Sequence, residues 1–340
     1  MLHQPSPLNV LAVRFSSIGD VLLTTPLLRA IRRRHPASRM SVLTKQAYVP
    51  LLSHNPHVSE VIGMGQERTL TGLAAELRAN HYTHMLDLHD SLRTRVLRTL
   101  VPGHWSTYPK HRVVRAVLIY AKRNLYGDTR PVPERYFSAA RDLDVAPDGG
   151  PPELSWAPET EREVADWLAS AKSTPGRPLI ALAPGAAHAT KRWPREHWLA
   201  LVRRLVDQDF DPVLVGGVED VPLSTELATG APAQVMNAAG RFGLQGTAAL
   251  LHRAAALVSG DTGVMHMATA VGTPVVALFG PTVQPFGFFP YTSRARVVEL
   301  ALDCRPCSSK GGPRCPLGHH RCMLDMHPEL VFEALQRSVS

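Results

Sequence analysis

The chain has 340 residues and a formal net charge of +8, from 37 Lys and Arg against 29 Asp and Glu. Its hydrophobic content of 44% and charged content of 19% are ordinary for folded proteins and exclude an intrinsically disordered chain. The length suggests two domains. The surplus of positive charge favours an anionic partner such as a nucleotide, a phospholipid or a nucleic acid.

No targeting or membrane-spanning segment is recognisable. Residues 1–8 lack the basic region and the long apolar run of a secretory signal. No apolar run approaches the roughly 20 residues needed to cross a bilayer. We therefore expect a cytoplasmic protein with no transmembrane segment, and the oligomeric state stays open.

In the first half of the chain, short apolar runs rich in β-branched residues alternate with helical patterns. They predict strands over 8–15, 39–44, 58–62 and 83–88, with helices over 21–34 and 67–80. Residues 144–158 contain two glycines and four prolines, which disfavour helix and central strand, so we predict a linker there.

The alternation resumes after the linker, with strands predicted over 179–183, 212–215, 255–259 and 274–279. Helices are predicted over 159–171, 196–207, 244–253, 263–271 and 328–337. The pattern indicates two Rossmann-like, doubly wound α/β domains that face a central cleft, with the ligand at the carboxyl ends of the strands. We predict domains over 1–150 and 158–325, followed by a C-terminal helix over 326–340.

The first predicted strand ends in a turn of small residues that leads directly into a helix. Gly19 lets backbone N–H groups approach a ligand at the positive end of a helix dipole. Asp20 is the one carboxylate in this turn. It lies where an α/β cleft would form, although an N-cap is the alternative explanation, because aspartate is favoured there.

Two turns in the second half have a similar character. In the first, Gly185 precedes the adjacent cations Lys191 and Arg192, a combination that suits a phosphate. The alternative is a solvated basic loop packed over Trp193. The sequence is not a Walker A motif.

The other turn runs from Asp261 through Thr262 and Gly263 to His266, at a strand-to-helix junction. Its amides could bind an anion, and Asp261 could accept hydrogen bonds from sugar hydroxyls or cap the helix. His266 lies three residues after Gly263 and could point toward the same binding site, although a lone helical histidine is more often a core residue.

These segments together resemble glycosyltransferase family 9, the ADP-heptose:lipopolysaccharide heptosyltransferases, over about residues 8–335. The matching residues are Ser16-Ser17-Ile18-Gly19-Asp20, Thr24-Thr25-Pro26, Lys191-Arg192-Trp193-Pro194, His197-Trp198, Gly216-Gly217-Val218-Glu219, Asp261-Thr262-Gly263 with His266 and Ala268, and Phe279-Gly280-Pro281-Thr282. The resemblance implies a GT-B fold, with the acceptor in the N-terminal domain and the donor in the C-terminal one. It also implies inverting transfer of heptose from ADP-heptose to the lipopolysaccharide inner core, at the inner face of the cell membrane and without a catalytic cofactor.

Carried over by residue, the family's general base falls on Asp20 and its diphosphate-binding lysine on Lys191, and Glu219 matches the acidic residue near the ribose. The other donor-binding candidates are Gly19, Gly185, Thr190, Arg192, Asp261, Thr262, Gly263 and His266, and the acceptor-binding candidates are Ser16, Ser17, Arg93, Arg95 and Arg112. Ala186 and Ala187 stand where some members have hydroxyl residues. Phosphate contacts in this loop would therefore fall to backbone amides and the residues at 190–192.

The residue types suit the implied reaction. One carboxylate takes a proton as a sugar hydroxyl attacks the anomeric carbon, and cations with aligned amides stabilise the departing diphosphate. Because the resemblance implies a GT-B enzyme that needs no metal ion, it assigns no role to the two D-x-D strings of the chain. We expect both strings to be solvated surface: Asp142-Leu143-Asp144 and Asp209-Phe210-Asp211. Alternatives are a GT-B enzyme of another nucleotide sugar, an epimerase, or a non-catalytic anion-binding protein.

Residues 91–127 contain eight Lys and Arg and no Asp or Glu, with aromatic residues interleaved. The family resemblance suggests that this stretch faces a lipid-linked acceptor and an anionic membrane. Single-stranded nucleic acid is the alternative partner, but no RNA-binding motif is present and we expect none to bind.

Four cysteines lie close together near the C-terminus, at Cys304, Cys307, Cys315 and Cys322, with His319 and His320 among them. The spacing is near that of metal ligands and could form a structural zinc site or, less readily, hold an iron–sulfur cluster. The alternative is a set of reduced thiols in a loop.

Overall fold

The structure is a computed structural model that describes residues 8–171, 174 and 176–339. Residues 1–7, where no secretory signal was predicted, lie outside the described residues, as does Ser340 of the predicted C-terminal helix. The chain divides into two compact units: Met1–Lys110 with Val132–Ser155 form unit 1, and His111–Pro131 with Trp156–Ser340 form unit 2. The segment His111–Pro131 is thus grouped with the second unit although it precedes the predicted linker.

Unit 1 contains a five-stranded parallel sheet in the order β3-β2-β1-β4-β5. Its strands are β1 (Asn9–Val13), β2 (Arg39–Lys45), β3 (Glu60–Met64), β4 (His84–Asp87) and β5 (Trp105–Thr107). Its helices are α1 (Ile18–Leu22), α2 (Thr25–Arg34), α3 (Leu70–Ala79), α4 (Leu92–Leu100) and α6 (Val132–Arg135). Helix α5 (Arg112–Ala121), which lies between α4 and α6 in sequence, belongs to unit 2. Residues 10–13 of β1 are almost fully buried, as expected for the aliphatic central strand of a parallel sheet.

The helix predicted over 21–34 is in fact two helices, α1 and α2, separated by a turn at Leu23 and Thr24. Pro26 explains the break, because it has no N–H to donate to the carbonyl of Leu22 in a continuous helix. The Thr25 hydroxyl donates to that carbonyl at 2.7 Å, and the Thr24 hydroxyl donates to the carbonyl of Val21 at 2.7 Å.

Unit 2 contains a six-stranded parallel sheet in the order β11-β10-β9-β6-β7-β8. Its strands are β6 (Leu179–Ala183), β7 (Asp211–Leu214), β8 (Met236–Asn237), β9 (Ala256–Gly260), β10 (Val275–Phe279) and β11 (Ala295–Glu299). Its helices are α5 (Arg112–Ala121), α7 (Pro158–Ser170), α8 (Arg195–Asp207), α9 (Val221–Gly230), α10 (Leu244–Arg253), α11 (Gly263–Ala270), α12 (Arg321–Leu324) and α13 (Pro328–Val339).

The C-terminal helix α13 packs into the core of unit 2. Its side chains Val331, Phe332 and Leu335 are buried with Val276 and Leu278 of β10. None of the helices in the described part of the chain is both long and apolar enough to cross a bilayer.

Both units confirm the predicted doubly wound α/β fold class. In each sheet the chain first adds strands on one side of its first strand and then crosses to the other side. The strand order therefore reverses between β1 and β4 in unit 1, and between β6 and β9 in unit 2. Ligands of open α/β sheets bind outside the carboxyl ends of the strands at such a switch point.

Candidate active site

In unit 1, the loops after β1 and β4 meet at the switch point. Arg14, directly after β1, donates from Nη1 to the carbonyl of Leu88 at 2.6 Å, and the Phe15 N–H donates to His89 Nδ1 at 3.1 Å. Arg14 Nε also donates to the carbonyl of Ser16 at 2.9 Å. Arg14 thus joins two loops that lie 74 residues apart in sequence.

Asp20 lies at the third position of α1, and Ser17 is the N-cap residue. One carboxylate oxygen, Oδ2, accepts hydrogen bonds from the Ser17 N–H at 3.0 Å and the Ser17 hydroxyl at 2.9 Å. The other oxygen, Oδ1, forms an ion pair with Arg14 Nη2. The Asp20 side chain keeps 17% of its surface exposed and that of Arg14 only 7%. The N-cap interpretation of Asp20 is therefore wrong, although its carboxylate does assist the cap.

The surroundings keep Asp20 ionised. Burial alone would raise the pKa of its carboxyl group, but the adjacent Arg14 guanidinium and the Ser17 hydrogen bonds outweigh burial and hold the pKa below its ordinary value. Asp20 is consequently a carboxylate at neutral pH, as a proton acceptor must be.

Three aromatic side chains surround this ion pair. Burial and, to a smaller extent, the positive charge of Arg14 together lower the pKa of His89 to about 4, so the ring is neutral at pH 7. Tyr136 is fully buried, with its ring centroid 6.0 Å from the Arg14 guanidinium carbon. Tyr108 packs edge-on against Tyr136 at 4.8 Å. No local sequence motif marks Arg14, His89 or Tyr136 as functional residues, so none of them was predicted.

The predicted acceptor residues lie in different surroundings. Ser16 and Ser17 belong to the Asp20 turn, and the Arg93 guanidinium lies 5.4 Å from the Phe15 ring centroid in the same unit. Arg95 pairs with Asp90 at 3.1 Å. Arg112 begins α5 in unit 2.

The basic stretch 91–127 is therefore not one uncompensated cationic surface. In addition to Arg95, Arg98 lies 3.9 Å from the buried Asp87 carboxylate, and both acidic partners come from just before the stretch. The Arg115 guanidinium lies 5.4 Å from the Phe286 ring centroid.

In unit 2, three loops bring polar side chains together at the carboxyl ends of β6, β9 and β10. Lys191 Nζ pairs with Asp261 Oδ2 at 2.5 Å and donates to the Asp261 carbonyl at 3.1 Å. The Thr282 hydroxyl donates to the same carboxylate oxygen at 2.8 Å. Lys191 and Asp261 retain only 12% and 10% of their side-chain exposure. A cation is thus held at the switch point of unit 2, where a phosphate could replace the carboxylate as its partner.

The Gly185 loop packs against Asp220 rather than against Glu219. A Cβ on Gly185 would lie 1.9 Å from Asp220 Oδ1, so any larger residue would force this carboxylate to move. Asp220 Oδ2 accepts a hydrogen bond from the Gly217 N–H at 3.0 Å, and burial raises the pKa of the carboxyl group. Glu219 is exposed. Glu219 stays a predicted ribose contact, and no sequence pattern marked Asp220, whose contact with the Gly185 loop arises only in the fold.

Thr190 and Arg192 support the loop that carries Lys191. The Thr190 hydroxyl accepts a hydrogen bond from the Gly312 N–H at 2.9 Å, and the residue is buried. Arg192 Nε donates to the carbonyl of Ala186 at 2.9 Å, across the loop.

The third predicted turn leads into α11, which begins at Gly263. The Thr262 hydroxyl lies 3.0 Å from that of Ser259. His266 is 4% exposed, inside the first two turns of the helix.

The D-x-D prediction holds only in part. Asp142, Asp144 and Asp209 have side chains 65%, 83% and 78% exposed, as predicted for solvated surface. For Asp211 the prediction is wrong, because this residue is buried at the start of β7 and accepts a hydrogen bond from the Thr174 N–H.

The cysteine cluster does not support the predicted zinc site. Cys304, Cys307 and Cys315 are partly exposed and Cys322 is buried, all four as free thiols. Among residues 8–171, 174 and 176–339, no three His, Cys, Asp or Glu side chains are arranged to hold a metal ion. Burial, with a smaller effect of neighbouring cysteines, raises the pKa of Cys322 to about 11. Of the two nearby histidines, His320 contacts the carbonyl of Thr190 through Nε2 at 3.0 Å.

Comparison with known proteins places the chain in a family. A model of glycosyltransferase family 9 (heptosyltransferase) matches residues 70–316. Lipopolysaccharide heptosyltransferase 2 of Salmonella typhimurium is 28% identical, over 98% of this chain and 99% of its own.

Two solved structures extend the likeness to three dimensions. The structure of ADP-heptose LPS heptosyltransferase II from Escherichia coli has a TM-score of 0.76 at 26% identity and covers 98% of both chains. A family 9 glycosyl transferase from Veillonella parvula has a TM-score of 0.82 at 22% identity, over 99% of this chain and 98% of its own. The chain belongs to glycosyltransferase family 9 and is a glycosyltransferase with the GT-B fold.

Proposed function

We propose that this enzyme transfers a heptose from ADP-heptose to the inner core of lipopolysaccharide, at the cytoplasmic face of the membrane. The nearly full-length similarity to lipopolysaccharide heptosyltransferases supports the sugar and the acceptor. The observation that carries the chemistry is the Asp20 carboxylate, which is held ionised by Arg14 and is still partly exposed.

In the proposed reaction Asp20 is the general base. The acceptor hydroxyl oxygen attacks the anomeric carbon of the donor, Asp20 takes the hydroxyl proton, and the bond from the anomeric carbon to the diphosphate oxygen breaks. ADP departs with the bonding electron pair. A single displacement of this kind inverts the anomeric centre.

Lys191 is the proposed partner of the departing diphosphate. Its ammonium group already lies at the carboxyl end of β6, where the Asp261 carboxylate holds it. When the diphosphate gains negative charge, an ammonium group already in place stabilises it without reorganisation. Because Lys191 supplies this positive charge, the proposed reaction requires no cofactor.

The remaining donor contacts are proposed for the loops that surround Lys191. Asp261 would accept hydrogen bonds from sugar hydroxyls once the diphosphate has replaced Asp261 as the partner of Lys191. The Thr282 hydroxyl would keep the Asp261 carboxylate oriented. Asp220 orders the Gly185 loop, whose amides would face the phosphates.

The proposal is tested by incubating the enzyme with ADP-heptose and a heptose-deficient inner-core acceptor and analysing the product by mass spectrometry and NMR. We expect one added heptose with an inverted anomeric configuration. Parallel reactions with other nucleotide sugars test the donor, and a reaction without acceptor tests for an epimerase. Transfer of another sugar in preference to heptose, or retention of configuration, would contradict the proposal.

A further inference from the structure

Helix α5 has one face that is firmly attached to unit 2. Its residues Leu118 and Ile119 are buried together with Tyr126 and Phe286. After the helix, Lys122 Nζ donates to the carbonyls of Cys304 at 2.9 Å and Pro306 at 2.6 Å. The helix and the turn that follows are therefore fixed on their inner side.

The opposite face exposes large apolar side chains. Val113 is 77% exposed, Tyr120 is 85% exposed, and Leu125, just beyond the helix, is 59% exposed. Val113, Ala116 and Tyr120 follow one another at spacings of three and four residues, which places them on one side of the helix. Ala116 is exposed as well. Clustered exposed apolar residues mark an interaction surface more often than single ones do.

Positive charge accompanies these apolar residues. Arg112 and Arg123 are exposed near the two ends of the helix, and no acidic residue occurs between 91 and 127. The next acidic residue in sequence, Asp128, forms an ion pair with Arg130 at 2.9 Å and lies 3.9 Å from His111. The face is therefore apolar along the helix and cationic at its ends.

We infer that this α5 surface, formed by Arg112, Val113, Tyr120, Arg123 and Leu125, docks on an anionic lipid bilayer. Aliphatic and aromatic side chains on one helix face enter the headgroup region of a bilayer while adjacent cations contact lipid phosphates. Nucleic acid is a poorer match, because bases stack on aromatic and guanidinium planes and two of the three large apolar side chains here are aliphatic. The inference deepens the proposed function, since a lipid-anchored acceptor would lie in that bilayer, but it can be tested independently of catalysis.

The test is flotation of the full chain with two kinds of vesicle, pure phosphatidylcholine and an equimolar mixture with phosphatidylglycerol. Two variants weaken the surface in different ways: Tyr120→Ser with Leu125→Ser removes apolar contacts, and Arg123→Glu reverses a charge. The matched controls are Leu330→Ser on α13, where the leucine is 42% exposed, and Arg203→Glu on α8, where the arginine is exposed. All of these side chains are solvent-exposed, so the thermal transitions of the variants should match that of the wild type.

We expect the wild type to bind anionic vesicles at least about tenfold more tightly than neutral ones, and each test variant to lose roughly tenfold while the controls do not. The inference is overturned if the wild type does not float, if the test variants float like the controls, or if only Arg123→Glu loses binding and an oligonucleotide displaces the vesicles. Transfer to a soluble, delipidated acceptor should be unchanged in the test variants. A wild type that floats but transfers no sugar would contradict the proposed function and leave the docking surface intact.

Discussion

Replacing Arg14 by methionine tests how the proposed base is kept ionised. Methionine fills most of the same volume but removes the charge that pairs with Asp20 and the donors to Ser16 and Leu88. Removal of one partner of a buried ion pair costs about 3–5 kcal/mol. Because the Asp20 side chain keeps 17% exposure, we expect a loss near the lower end, about 3 kcal/mol.

That loss should be visible in two measurements. For a domain of this size, about 3 kcal/mol lowers the melting temperature by roughly 6–12 °C. Without Arg14, burial would raise the pKa of Asp20, so the acidic limb of the kcat/KM profile should move to higher pH. Arg14→Lys keeps the positive charge and should move the limb less.

The pH profile has one competing explanation and one refuting result. Arg14 also lowers the pKa of His89, so Arg14→Met would raise that pKa too. His89→Asn in both backgrounds separates the two, because a shift that belongs to Asp20 persists without the histidine. A profile of Arg14→Met that coincides with that of the wild type would refute the role assigned to Arg14.

Three further predictions concern the donor loops and the linker. Lys191→Ala should weaken ADP binding by about tenfold to a hundredfold, as expected for loss of a charge-assisted contact; a calorimetric Kd within about twofold of the wild type would contradict its role. Gly185→Ala should destabilise the fold by about 1–3 kcal/mol because its Cβ would meet the Asp220 carboxylate at 1.9 Å. In a double-mutant cycle, Asp220→Ala should reduce the destabilisation caused by Gly185→Ala. Strictly additive effects of the two substitutions would contradict the contact. The pairing of Asp148 with Arg29, at 2.7 Å, lowers the pKa of Asp148 to about 2. The resulting stability is present above about pH 4 and is lost as the pH falls towards 2. Asp148→Asn should therefore remove about 1 kcal/mol of the pH dependence of the free energy of unfolding, as measured by acid unfolding. This value is discounted for solvent screening.

Much of the fold was predictable because the apolar periodicity is local. The strand predicted over 179–183 is observed as Leu179–Ala183, and both sheets are parallel as the alternation of strands and helices requires. Elements such as β5, β8 and α5 were not predicted. They are short, and their positions depend on tertiary packing.

The candidate site was predictable only where a motif is contiguous. The turns around Asp20 and Lys191 follow directly after strands and could be read from the sequence. Arg14 could not, because its partner loop lies 74 residues away and nothing in the sequence marks that contact. The contact of Asp220 with the Gly185 loop could not be predicted for a similar reason, since it depends on how the loops pack in the fold.

The most direct test of the central claim compares Asp20→Asn with the wild type in sugar transfer and in ADP binding. Asparagine keeps the shape of the side chain but cannot take the acceptor proton, and loss of a general base lowers turnover by about a hundredfold to ten-thousandfold. We predict such a loss together with an ADP dissociation constant within about threefold of the wild-type value. Turnover within about threefold of the wild type would show that Asp20 is not the base.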